Sequence, residues 1–142
     1  MWEYRARRSD KPRTGKGDDG DTVLMILDLG MGVFTEEPIR LVGCFAPETS
    51  QPGGKEATVF LNLTMEEVEE RAAARHARWP FMVRTEPNTT PEPDEKRSFV
   101  RYIGMIYALD TGECINNDVQ AFLASHPEWG GGTGGGSAAE DG

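Results

Sequence analysis

Apolar and polar residues alternate at the start of the chain, where Trp2, Tyr4 and Ala6 are separated by Glu3 and Arg5. This is the period of a short half-buried strand. Ser9-Asp10-Lys11-Pro12-Arg13-Thr14-Gly15-Lys16-Gly17 then breaks the alternation with turn formers and predicts an exposed loop. Thr22-Val23-Leu24-Met25-Ile26-Leu27 is β-branched and apolar, and Gly30-Met31-Gly32 offers a reversal into Val33-Phe34, so a hairpin is expected. A third strand, Ile39-Arg40-Leu41-Val42-Gly43-Cys44, is expected after Pro38.

Beyond a Ser50-Gln51-Pro52-Gly53-Gly54 loop the pattern is ambiguous: Val59, Leu61 and Leu63 alternate, yet Ala57 to Leu63 can also extend a helix. Thr64-Met65-Glu66-Glu67 has the form of a capping box. Acidic residues follow it, Arg71, Arg75 and Arg78 lie toward the far end, and Pro80 stops the run, which predicts a helix over 65–78. Met65, Val68, Ala72 and Trp79 mark its apolar face, and its arginines read as solvated charges. Phe81-Met82-Val83-Arg84-Thr85 reads as a strand, Glu86 to Lys96 as a Pro-rich loop, and Phe99 to Leu109 as a fifth strand with a bend or bulge at Gly104. Asn116 or Asn117 is expected to cap a last helix carrying Val119, Phe122 and Leu123, which Pro127 ends. Five strands, a long helix after the third and another after the fifth describe a β-barrel with helices, an α+β chain of the five-stranded oligonucleotide-binding (OB) type. One domain is expected over 1–129, followed by a disordered Gly-rich tail over 130–142.

Composition narrows the function classes. The 142 residues suit one domain, and no apolar run approaches the roughly 18 residues that span a bilayer, so no membrane partner is expected. The first residues carry charge with no apolar stretch behind it, which makes the cytoplasm the expected location. A monomer is expected. Cys44 and Cys114 lack CxxC spacing and read as reduced structural thiols, and His76 and His126 are too isolated to suggest zinc. The net charge of −9 is awkward for a nucleic-acid binder. It is unevenly spread: residues 1–16 hold six basic residues against two acidic ones, a net of +4, which leaves −13 on the rest.

The residues that carry chemistry are Asp18, Asp19 and Asp21 beside Gly20, then Arg40, Glu48 and Arg101. A hard cation takes carboxylate oxygens, and a phosphodiester suits arginine forks. Cleaving such an ester needs a water activated by a carboxylate, a cation, and donors for the transition state. Taken alone, these residue types also fit ordinary turns and solvated strand faces.

Asp19-Gly20-Asp21-Thr22, Asp28-Leu29-Gly30-Met31-Gly32-Val33, Arg40-Leu41-Val42-Gly43, Ala46-Pro47-Glu48-Thr49, Arg101 and Ile115-Asn116 occur in the order and approximate spacing of the thermonuclease family. The chain resembles that family, the staphylococcal nuclease-like proteins, over about residues 2–126. The resemblance implies a calcium-dependent nuclease acting on DNA or RNA with low sequence specificity. It implies that Asp21 and the Ala46 carbonyl bind Ca2+ with Asp19 in support, that Glu48 is the general base, and that Arg40 and Arg101 grip the phosphate. Two departures stand out. Phe45 replaces a second metal-binding aspartate, and Ser98-Phe99-Val100-Arg101 replaces a Lys-Tyr-Gly-Arg turn, with Arg97 as a fallback arginine. Two functions are therefore expected as alternatives: a metal-dependent nuclease, or a catalytically decayed OB module that binds nucleic acid or protein. A purely structural domain is a third.

Overall fold

The computed structural model describes residues 2–9, 20–48, 50–87 and 102–129. The loop residues Asp10 to Asp19, the segment 88–101 with Arg97, Val100 and Arg101, and the tail 130–142 lie outside them. Strands β1 (Trp2–Arg8), β2 (Thr22–Gly30), β3 (Val33–Leu41), β4 (Phe81–Pro87) and β5 (Tyr102–Ala108) close into a barrel in the order β1-β2-β3-β5-β4. Helix α1 (Gly54–Ala74) joins β3 to β4, and α2 (Ile115–Ala124) follows β5. Four seams are antiparallel and the β3–β5 seam is parallel. This architecture is consistent with an OB-like barrel carrying two helices.

The barrel forms because alternate residues of each strand face inward. Val23, Met25 and Leu27, then Phe81 and Val83, then Ile106 and Ala108 are all buried, with Phe81 wholly so. Ala57, Leu61, Met65 and Val68 of α1 and Ile115, Val119 and Leu123 of α2 complete the same core.

Several local expectations give way to tertiary structure. Helix α1 begins ten residues before the supposed capping box: Thr64 sits inside it and donates its hydroxyl to the Phe60 carbonyl at 2.8 Å. The helix ends at Ala74, where His76 takes a left-handed φ of 57°, so Trp79 is buried from outside the helix. Its last arginines are partnered, with Arg71 and Arg75 both on Asp110 at 2.9 and 3.0 Å.

The hairpin return and the third strand are one element, β3, with Pro38 inside it. Proline is tolerated there because β3 meets β5 only over Ile39 to Leu41, so its missing N–H leaves no partner on that side. Val42 and Gly43 form a turn. In α2, Cys114 occupies the cap position and Asn116 lies within the helix. The Asn116 side chain, 1% exposed, accepts from the Ile106 N–H at 2.9 Å and donates to the carbonyls of Val42 and Gly104, both at 3.0 Å. It therefore ties the end of β3, the middle of β5 and α2 together. Gly104 marks close approach rather than a bulge, since its ladder to β4 is unbroken and a Cβ there would stand 2.9 Å from Ile39 Cγ2.

Candidate functional site

The sequence-predicted residues meet where β2 starts and β3 ends. Thr22 and Arg40 are ladder partners, and the Leu41 N–H donates to the Asp21 carbonyl at 2.8 Å. Gly20, just before, lies under α1: a Cβ there would stand 2.7 Å from Ala57 Cβ and 3.0 Å from Ala46 Cβ. A glycine is therefore needed for the turn to reach its place. Asp21 is only 7% exposed, and its two carboxylate oxygens accept from the Thr22 hydroxyl at 3.1 Å and the Ala46 N–H at 3.2 Å. The turn after β3 is thus held against Asp21 by the backbone of Ala46.

Arg40 points outward, between the inward-facing Ile39 and Leu41, and its guanidinium carbon lies 5.9 Å from the centroid of the Phe45 ring. That ring is 49% exposed. Among the described residues this cation–π contact is the only interaction of the guanidinium. Glu48 is exposed on the same turn. Its backbone N–H donates to Gln51 Oε1 at 3.1 Å, and its carboxylate has no ion-pair partner among the described residues. The structure thus brings Asp21, Arg40, Phe45 and Ala46 together and leaves Glu48 on their rim. Asp19 and Arg101 lie outside the described residues, although β5 starts at Tyr102 opposite Ile39.

Calcium takes about 6–8 oxygen ligands, most of them charged or carbonyl. Among the described residues, no three His, Cys, Asp or Glu side chains lie together as a metal set requires. Asp21 already accepts two protein hydrogen bonds. Of the implied calcium ligands, Asp21 and Ala46 are among the described residues and Asp19 is not.

Cys44 offers no alternative chemistry. Burial, then the charge of Asp21 and the neighbouring Cys114, push its thiol up from 9.0 to about 12. At neutral pH it stays a protonated thiol, donating toward the Asn116 carbonyl at 3.5 Å. Because the folded value is the higher one, its contribution to stability is full below pH 9.0 and lost as pH rises toward about 12. Cys44 is expected to resist Ellman's reagent at pH 8 in the native protein and to react on adding denaturant. Rapid native labelling at residue 44, located by mass spectrometry, would contradict this.

A second cationic surface was not anticipated. Arg5, Arg7 and Arg78 place their guanidinium carbons 6.0, 5.9 and 5.6 Å from the Trp79 ring, which Phe34 stacks at 5.8 Å. Arg5 pairs with Asp28 at 2.8 Å, and the Gly30 N–H together with Arg5 holds that carboxyl below its usual range. The sequence held half the signal, since Arg5 and Arg7 occupy the strand positions between Tyr4, Ala6 and Arg8. Nothing in it indicated that Trp79 would fold back onto them.

No protein-family model and no curated protein matches the chain.

Proposed function

We propose that the chain is a staphylococcal nuclease-like OB domain that binds single-stranded nucleic acid without cutting it, through the surface where Arg40 lies over Phe45. The observation that carries this reading is the Arg40–Phe45 pair itself, an arginine poised for phosphate beside a half-exposed ring. Stacking of a base on such a ring is worth about 1–3 kcal/mol, and arginine adds a forked phosphate contact. The strand order, the helix between β3 and β4 and the motif order of the sequence support the thermonuclease resemblance. Phe45, standing where that family carries a second metal-binding aspartate, favours binding over hydrolysis. Arg5, Arg7 and Arg78 offer further positive charge on a chain of net charge −9, and contacts from such arginines to phosphates weaken as salt rises.

The calcium-dependent nuclease is the second reading, and one observation favours it: the hydrogen bond from the Ala46 N–H to Asp21 joins two of the implied metal ligands and leads directly to Glu48. Fluorescence anisotropy with a labelled oligodeoxynucleotide of about 16 nucleotides at low salt separates the two. We expect Arg40→Ala and Phe45→Ala each to weaken binding about tenfold, or ~1.4 kcal/mol, with unchanged melting temperature. Wild-type affinity in both variants would sink the binding surface. Cleavage that needs calcium, stops in EDTA and is lost in Glu48→Gln would establish the nuclease instead.

A further inference from the structure

The barrel has two unlike ends. At one, α1 packs against the core, and Arg8 at the end of β1 is tied to it by Glu69 through two bonds of 2.7 Å and by Asn62 through one of 2.9 Å. At the opposite end the described residues line a cavity of about 430 Å³, within the range of about 300–1,000 Å³ that small-molecule sites occupy. All five strands contribute to its wall: Trp2 and Tyr4 from β1, two leucines from β2, Thr35 and Glu37 from β3, Thr85 from β4 and Tyr102 from β5.

Glu37 is the unusual member. It stands two residues before Ile39, which is 0% exposed, and its ladder partner Met25 is also 0% exposed, so its side chain leaves the strand on the interior face. The Thr35 hydroxyl donates to Glu37 Oε2 at 2.7 Å and fixes the carboxylate. Among the described residues no cation pairs with it. The nearby strand arginines are committed elsewhere, Arg84 to Glu3 at 2.9 Å and Arg5 to Asp28 at 2.8 Å. A carboxylate at an aromatic-lined mouth offers a complementary charge to a cation that enters it.

We infer that this mouth binds an organic cation of the methylated-ammonium class, such as a trimethylated lysine side chain. The aromatic rings of Trp2, Tyr4 and Tyr102 line the cavity and bring the quadrupoles that attract such cations, and Glu37 supplies the opposite charge. A quaternary ammonium has no N–H to satisfy, whereas a primary ammonium brings three donors to a carboxylate already half committed to Thr35. Phosphate is disfavoured by the same carboxylate, so this site is distinct from the Arg40–Phe45 surface. Glu37 and Arg40 lie three residues apart on β3 and face opposite sides of the sheet.

The test is a titration of the full chain with tetramethylammonium chloride and then with Nε-trimethyl-lysine, followed by 1H–15N NMR. The expected result is a saturable shift of the Trp2 indole N–H and of the Thr85 and Tyr102 amides, while the Trp79 and Trp129 indoles stay still. Glu37→Gln, which keeps size and shape, and Tyr102→Ala are each expected to weaken binding at least about tenfold. Unmethylated lysine is expected to bind the wild type at least about tenfold more weakly than its trimethylated form. Shifts that sodium chloride reproduces, no saturation, equal affinity in Glu37→Gln, or equal affinity for unmethylated lysine would each overturn the assignment.

Discussion

Asn116→Ala is expected to lower the unfolding free energy by about 3–5 kcal/mol, because it strands three backbone groups at once. The Ile106 N–H and the Gly104 carbonyl lie in buried bonds to Asn116, and the Val42 carbonyl in a partly buried one, so water cannot fully replace the lost amide. At a urea slope of about 2 kcal/mol per molar this is a midpoint shift of about 2 M. Asn116→Asp is expected to be at least as damaging, since it keeps the acceptor for Ile106 but sets a carboxylate against two carbonyl oxygens. A loss below about 1 kcal/mol for the alanine variant would mean that the end of β3, β5 and α2 do not depend on this side chain.

Phe81→Ala is expected to cost about 3–5 kcal/mol, from the transfer energy of a ring that is 0% exposed and from the cavity left among Ala6, Val83 and α1. The same change at Phe45, whose ring is 49% exposed, is expected to cost less than about 0.5 kcal/mol. Urea melts of the two variants, run beside the anisotropy measurements, separate what Phe45 does for binding from what an aromatic residue does for the fold. A Phe45 variant as unstable as the Phe81 variant would make the ring part of the core and remove it from the proposed surface.

The five strands and their helices were legible where period and burial agree, as in Val23-Met25-Leu27 and Phe81-Val83. The length of α1 was present but masked. Ala57, Leu61, Met65, Val68 and Ala72 recur at intervals of four, four, three and four, and all are buried. Val59 and Leu63, whose alternation with Leu61 suggested a strand, are 54% and 57% exposed on the outer face. Thr64-Met65-Glu66-Glu67 misled because a threonine hydroxyl can bond back to its own helix as well as start one. At the candidate site, the approach of Asp21 to the Ala46 turn follows the motif order. The Arg40–Phe45 contact does not, since cation–π pairing across a strand end leaves no periodic trace. The role of Asn116 was hidden for a similar reason: its partners Val42, Gly104 and Ile106 are brought to it only by the closed barrel.

Closure also sets a timetable for folding. The seam between β1 and β4 joins residues as remote as Glu3 and Arg84, 81 positions apart, whereas β2 and β3 meet through a two-residue hairpin turn. Loop entropy must be spent on the distant seam before its ladder gives anything back, which places such topologies in the millisecond-to-second range of folding times. A growing chain can fold the hairpin and α1 early, yet β1 keeps one raw edge until the whole of β4 has emerged. Deleting β1 would therefore remove two seams together and leave a four-stranded sheet with both borders open to other chains.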